Sequence, residues 1–298
     1  MLAKCEVMKK ILLPTDFSDS AWNAITYAMD FFKNEVCTFY LLHAYTPAFY
    51  RMDYILGGPM FSAIPDAEVD ISLAGLEKTH SDIKNLPHNP KHHFEEVSAF
   101  NVLTHEINDL TQEKDIDLIV MGTKGATGAK EVFIGSNTVY VLRKATAPVF
   151  VVPVNSKYKS VKKVLFPTDY LTQYKEHEFQ HLIELVKMSG GHLTILHVKE
   201  EYELSEAQLK NKTHLATLLK GIPHTFAEEN GKLMPEAVIK YIDQEKFDLL
   251  AMMNRKHSIL DRLFVKHNVD QLSFHVQVPF FVVRDTAKVA SRSATNLS

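Results

Sequence analysis

The sequence predicts an α/β protein of two tandem doubly wound domains, each a parallel sheet with helices on both faces. The first sign is an internal repeat. "KKILLPTDF" at 9–17 returns as "KKVLFPTDY" at 162–170, "FYLLHA" at 39–44 as "LTILHV" at 193–198, "DLIVM" at 117–121 as "DLLAM" at 248–252, and "PVFVV" at 148–152 as "PFFVV" at 279–283. Four blocks in one order mean a duplicated domain, and the period is too long for a solenoid. The second sign is the make-up of those blocks. They are continuous Val/Ile/Leu/Phe runs, the pattern of strands buried on both faces, and helical periodicity lies between them. Such alternation implies right-handed crossovers and a parallel sheet.

In the first half, strands are expected at about 10–15, 37–43, 93–98, 117–121 and 148–152. After the first, Ala21, Ala24, Ile25, Ala28, Phe31 and Phe32 fall at helical spacing. Ser18 or Asp19 can cap that helix, since a short oxygen side chain satisfies an orphan N–H. Leu103, Ile107 and Leu110 mark a helix before "DLIVM", and Val139 and Leu142 begin the apolar face of a shorter one before "PVFVV". In the second half, strands are expected at about 163–168, 192–198, 223–228, 248–252 and 279–283. The first half is longer by "TPAFYRMDYILGGPMFSAIPD" at 46–66, which reads either as an ordered loop packed on the protein or as a lid on a ligand site. The domains are accordingly set at 1–154 and 161–286, with "NSKYKS" at 155–160 as linker and 287–298 as a small, polar tail expected to fray.

Composition narrows the function classes. The chain has 298 residues, 46% hydrophobic and 23% charged, with a formal net charge of −3. It carries no basic footprint for nucleic acid and no polybasic or membrane-spanning stretch. Two cysteines, Cys5 and Cys37, make no disulfide framework and fit a reducing cytoplasm.

The glycines are distributed unevenly. Of eleven in the chain, four fall in "MGTKGATGAKEVFIGSNTV" at 121–139, just past the apolar run "DLIV". Gly122, Gly125 and Gly135 stand in a G-x2-G-x9-G-S spacing that runs into a helix start. Glycine permits positive φ and lets backbone N–H groups approach a ligand. A run of such groups ending at a helix N-terminus is an anion cradle. Ser136 and Thr138 add hydroxyls there, and Lys124 and Lys130 can add positive charge. Across the crevice, Pro14-Thr15-Asp16 ends the first strand, and the Asp16 carboxylate only accepts hydrogen bonds. One wall suits an anion and the other a donor, and a nucleotide has both.

These motifs resemble the universal stress protein family in its tandem two-domain form, over nearly the whole chain. The "PTD" after the first strand and the G-x2-G-x9-G-S spacing are similar to that family's ATP-binding branch. The resemblance implies five-stranded sheets of order 3-2-1-4-5 and an ATP site between strands 1 and 4. It places Asp16 on the adenine or ribose side with Pro14 and Thr15 beside it, Ala44 on the base, and Met121 and Gly122 along the ribose. Lys124, Gly125, Gly135, Ser136, Asn137 and Thr138 would hold the phosphates, with Mg2+ or Mn2+. Two features depart from the pattern: "SAFNVL" replaces a glycine-containing turn after the third strand, and the 46–66 loop is long. The resemblance also implies pairing of the two domains, as in a dimer made covalent, and leaves room for a homodimer.

The second half lacks the cradle. An ungapped alignment sets Met253 against Gly122, Lys256 against Gly125, Lys266 against Gly135 and His267 against Ser136. Pro167, Thr168 and Asp169 remain, with a structural role expected at the strand end. Arg255, Lys256, Lys266 and His267 are either solvated or hold a different anion. No nucleophile–base pair, G-x-S-x-G elbow or G-x4-G-K-[ST] loop stands out, so no catalytic residue is assigned. The expected function is a nucleotide-dependent sensor or regulator working through the first domain. The alternatives are an interaction protein with a vestigial site and a slow ATPase. His88, His92 and His93 in "PHNPKHHF" read as a solvated loop rather than a zinc site. His43 and His197, at equivalent strand ends, read as packed histidines bonded to backbone. Cys37 reads as buried and inert, and Trp22 as packing at an edge or interface.

Overall fold

The computed structural model describes residues 8–46, 67–123, 135–154, 156–199, 203–230, 234–254 and 278–283. In the first half these form β1 (Lys9–Pro14), α1 (Asp19–Phe31), β2 (Cys37–Tyr45), α2 (Ala67–Lys84), β3 (His92–Phe100), α3 (Leu103–Lys114), β4 (Leu118–Gly122), α4 (Ser136–Lys144) and β5 (Val149–Val152). The second half repeats the plan with β6 (Lys163–Pro167), α5 (Glu176–Ser189), β7 (His192–Lys199), α6 (Glu206–Leu218), β8 (His224–Asn230), α7 (Met234–Glu245), β9 (Leu249–Met253) and β10 (Phe280–Val283).

All ten strands join one sheet in the order β3-β2-β1-β4-β5-β10-β9-β6-β7-β8. The first five follow 3-2-1-4-5, and the second five give the same order read from the other edge. Pairing within each half is parallel. The halves meet where β5 runs antiparallel to β10, with Phe281 opposite Phe150. That junction follows from two short, wholly apolar edge strands. Left open, each would expose unpaired backbone groups, and pairing removes both edges.

Alternation along the strands splits the core in two. Ile11, Leu13, Phe39, Leu41, Val120 and Phe150 face α1, α2, α5 and α6 in one cluster. Leu12, Tyr40, Leu42, Ile119, Met121 and Val149 face α3, α4 and α7 in the other. Each cluster contains residues of both halves.

The helix after β1 is capped by Ser18, whose side chain accepts from the Ala21 N–H. All six of its predicted apolar positions are buried. Trp22 lies partly buried against the core, and Cys37 is buried, its thiol pushed up to about 12 by loss of water. Three expectations change. α2 has a weak apolar face and escaped the reading, because only Ser72, Leu76, Thr79 and Ile83 are buried on it. The buried face of α4 is Thr138, Val141 and Leu142, with Val139 only half-buried. His92 and His93 belong to β3 and not to a loop; His92 is buried, with its Nε2 3.1 Å from the Phe32 carbonyl. Among the described residues no group of three His, Cys, Asp or Glu could hold a metal ion, and no helix is long and apolar enough to cross a membrane.

Candidate functional site

The carboxyl ends of β1 and β4 lie side by side at the point where the strand order reverses. Here the crossovers leave to opposite faces, and a crevice opens between them. Its cavity volume is about 180 Å3. Its lining includes Pro14, Thr15, Asp16, Ala44, Met121, Gly122, Gly135, Ser136, Asn137 and Thr138. Ten of the twelve residues singled out in the sequence therefore share one cleft; Lys124 and Gly125 lie outside the described residues, as do Lys130 and the 46–66 segment save Thr46.

The β1–α1 turn forms one wall. Thr15 is buried, and its N–H donates to the Leu42 carbonyl at 2.8 Å. Its hydroxyl accepts from the Phe17 N–H at 3.0 Å. Asp16 is exposed, and its Oδ1 accepts from both the N–H (3.1 Å) and hydroxyl (2.5 Å) of Ser18. Among the described residues its Oδ2 has no partner, so the carboxylate still has an acceptor to offer. These local bonds hold Phe17 at φ 62°, a left-handed conformation that a non-glycine residue adopts only under constraint.

The start of α4 forms the other wall. Gly135 is its N-cap with φ −62°, no side chain caps it, and no acidic residue occupies the first turn. Its exposed donors and positive dipole end suit an anion. Ser136 and Asn137 are exposed there. The Thr138 hydroxyl donates to the Gly122 carbonyl at 3.1 Å, tying α4 to the end of β4.

Two glycine arguments are revised. Neither Gly122 nor Gly135 takes a positive φ. Gly122 is required by packing: a Cβ there would stand 2.5 Å from the Ser20 carbonyl oxygen and 2.6 Å from its hydroxyl. Ser20 also donates from that hydroxyl to the Thr123 carbonyl. The glycine lets the first turn of α1 sit directly on the end of β4.

The cleft also contains Ser18, Ser20, Ala21, His43, Leu103 and Thr123, which the sequence reading did not assign to it. Ser18 and Ser20 carried a signal in "DFSDS", where two hydroxyls follow the acid directly. Leu103 and Thr123 carried none; they enter through the crossovers.

The second half builds the same turn and then fills it. Thr168 N–H donates to the Leu196 carbonyl at 2.8 Å, Tyr170 N–H to the Thr168 hydroxyl at 3.0 Å, and Leu171 N–H to Asp169 Oδ1 at 3.0 Å. Tyr170 takes φ 55° and is fully buried. α6 closes over the turn: Gln208 Nε2 donates to the Asp169 carbonyl and Asn211 Nδ2 to the Tyr170 carbonyl, each at 2.8 Å. The Tyr174 and Thr168 hydroxyls are bonded to each other. Met253, buried, ends β9 where Gly122 ends β4. The helix responds: α1 starts two residues after Phe17, but α5 starts at Glu176, six after Tyr170. The start is displaced by about one turn, although α5 at 14 residues is no shorter than α1 at 13. Arg255, Lys256, Lys266 and His267 lie outside the described residues.

Residues 8–153 and 160–284 match the universal stress protein family. A universal stress protein of Methanocaldococcus jannaschii is 28% identical over 156 residues, covering 48% of this chain and 94% of its own. One from Bacillus subtilis is 26% identical over 151 residues, covering 49% of this chain and 99% of its own. A crystal structure of a universal stress protein from Archaeoglobus fulgidus shares the fold across 92% of this chain and 98% of its own, with TM-score 0.62 and 18% identity.

Proposed function

This chain belongs to the universal stress protein family, and from that premise we propose that it binds ATP in its amino-terminal half and works as a nucleotide-dependent sensor or regulator. The observation that supports this reading most is the contrast between the two switch points. The first is a cleft of about 180 Å3 with an acceptor on one wall and an uncapped helix start on the other. The second has a buried methionine, Met253, where the first has Gly122.

In this reading Asp16, with Pro14 and Thr15, takes the ribose or adenine side, and Ala44 takes the base. Met121 and Gly122 line the ribose, and Gly135, Ser136, Asn137 and Thr138 meet the phosphates. Lys124 and Gly125 complete the phosphate end. A divalent ion, Mg2+ or Mn2+, rides on the phosphates. The domains are 1–154 and 161–286, the first active in binding and the second structural.

Calorimetry with ATP and Mg2+ tests the assignment. Wild type and Asp169→Ala should bind alike, and Asp16→Ala should lose roughly tenfold or more, the effect of removing a charge-assisted hydrogen bond. Equal affinity in Asp16→Ala and wild type, or no binding at all, overturns it.

A further inference from the structure

His43 and His197 occupy the same place in the two halves, near the ends of β2 and β7 and beside the turn that follows the first strand of each half. Each packs its ring on the left-handed residue of that turn. His43 lies 4.5 Å from the Phe17 ring and His197 lies 5.2 Å from the Tyr170 ring, centroid to centroid, both tilted by 34°. The turns themselves are matched bond for bond, from the backbone anchor at Thr15 and Thr168 to the carboxylate contacts of Asp16 and Asp169.

The match fails at the histidine. His197 Nδ1 lies 3.1 Å from the Thr168 carbonyl oxygen and donates to it. His43 Nδ1 is buried, and among the described residues it has no hydrogen-bond partner. An unmade bond at a buried polar atom is costly. The counterpart acceptor, the Thr15 carbonyl, belongs to a residue lining the nucleotide cleft, and so does His43 itself.

The second half shows what seats its turn. Gln208 and Asn211 hold the carbonyls of Asp169 and Tyr170 from above, and Thr168 then rests on His197. In the first half the Asp16 and Phe17 carbonyls have no such partners among the described residues. Among the described residues, no side chain does for the first turn what those of α6 do for the second.

We infer that His43 is a positioning residue of the nucleotide site, and that its Nδ1–H closes onto the Thr15 carbonyl when ligand engages Asp16. The inference rests on the reading of the cleft as an ATP site. Seating the turn would aim the Asp16 carboxylate and carry the change to Phe17. The Phe17 ring lies under α2, so close to Gly75 that a Cβ there would stand 2.4 Å from it. Occupancy of the cleft is thereby passed to the opposite face of the sheet.

Nitrogen NMR of histidine-labelled full-length protein, titrated with ATP and Mg2+, reads this directly. His197 Nδ1 should show a hydrogen-bonded position throughout, and His43 Nδ1 should move to a similar position as ATP saturates. By calorimetry, His43→Phe should bind ATP roughly tenfold more weakly, and His43→Asn, whose amide can replace the Nδ1 donor, should recover to within about threefold of wild type. ATP binding with the His43 signal unmoved, or with His43→Phe equal to wild type, overturns the role of His43 and leaves the nucleotide site standing. Absence of ATP binding in wild type overturns both.

Discussion

Ser20 and Gly122 are locked together: the Ser20 hydroxyl donates to the carbonyl next to Gly122, and its own carbonyl sits where a Cβ on Gly122 would be, 2.5 Å away. The obstruction is backbone, so it cannot rotate aside. Gly122→Ala should cost about 1–3 kcal/mol, the range for overpacking a well-filled site, measured by urea unfolding. The same substitution should weaken ATP binding only through displacement of α1. Truncating Ser20 to Gly should not rescue it, since the carbonyl remains.

Tyr170 tests the claim that the second switch point is structural. It is fully buried, Lys212 lies 5.7 Å over its ring, and burial pushes its phenol above the ordinary range. Tyr170→Ala should destabilise the protein by about 3–5 kcal/mol, as large aromatic truncations in cores do. It should create no second ATP site, because Met253 still stands at the end of β9. One ATP per chain by calorimetry in both wild type and variant is the expected result.

Most of the fold was legible in the sequence because two signals reinforced each other. The repeat fixed which runs correspond, and each run was apolar enough to be a strand buried on both faces. All ten strands fall within two residues of expectation at either end. α2 was missed because half of it faces solvent and its buried positions include Ser72 and Thr79, which carry no hydrophobic signal. The cleft residues with a motif could be found, whereas Leu103 and Thr123 are placed by crossovers that no local pattern encodes. The glycine at 122 was noticed for a ligand reason, yet its neighbour is Ser20, more than a hundred positions away in sequence. Steric need at that distance appears only once the strands are assembled. The backbone role expected of both strand-end histidines holds for His197 alone.

Asn254 predicts how the halves are held. It is buried at the end of β9, and its side-chain amide donates to the Leu142 carbonyl of α4 at 2.6 Å, across the domain junction. Asn254→Leu would keep the volume and leave that carbonyl without this donor. The expected loss is about 1–3 kcal/mol by urea unfolding, and Asn254→Ala should add a cavity cost. A neutral result would mean that strand pairing and the shared core hold the junction without this bond.

Acidification should act through two histidines. His43 is held below the ordinary histidine range by burial, which outweighs the opposing pull of Glu68 and Asp16. His92 is likewise lowered by burial, against the Phe32 carbonyl and with help from His93. In the unfolded chain both would take a proton near pH 6.5, the ordinary value. The folded protein resists, so between that value and the lower folded ones the unfolded state binds more protons and stability falls with pH. Stability should therefore be fully present above about pH 6.5 and decline as pH drops below it. His92→Gln should flatten part of that decline with little loss near neutrality, since its amide can donate to the Phe32 carbonyl in place of Nε2. Thermal unfolding followed from pH 8 to pH 5 checks both statements, and a curve for His92→Gln parallel to wild type would remove His92 from the account.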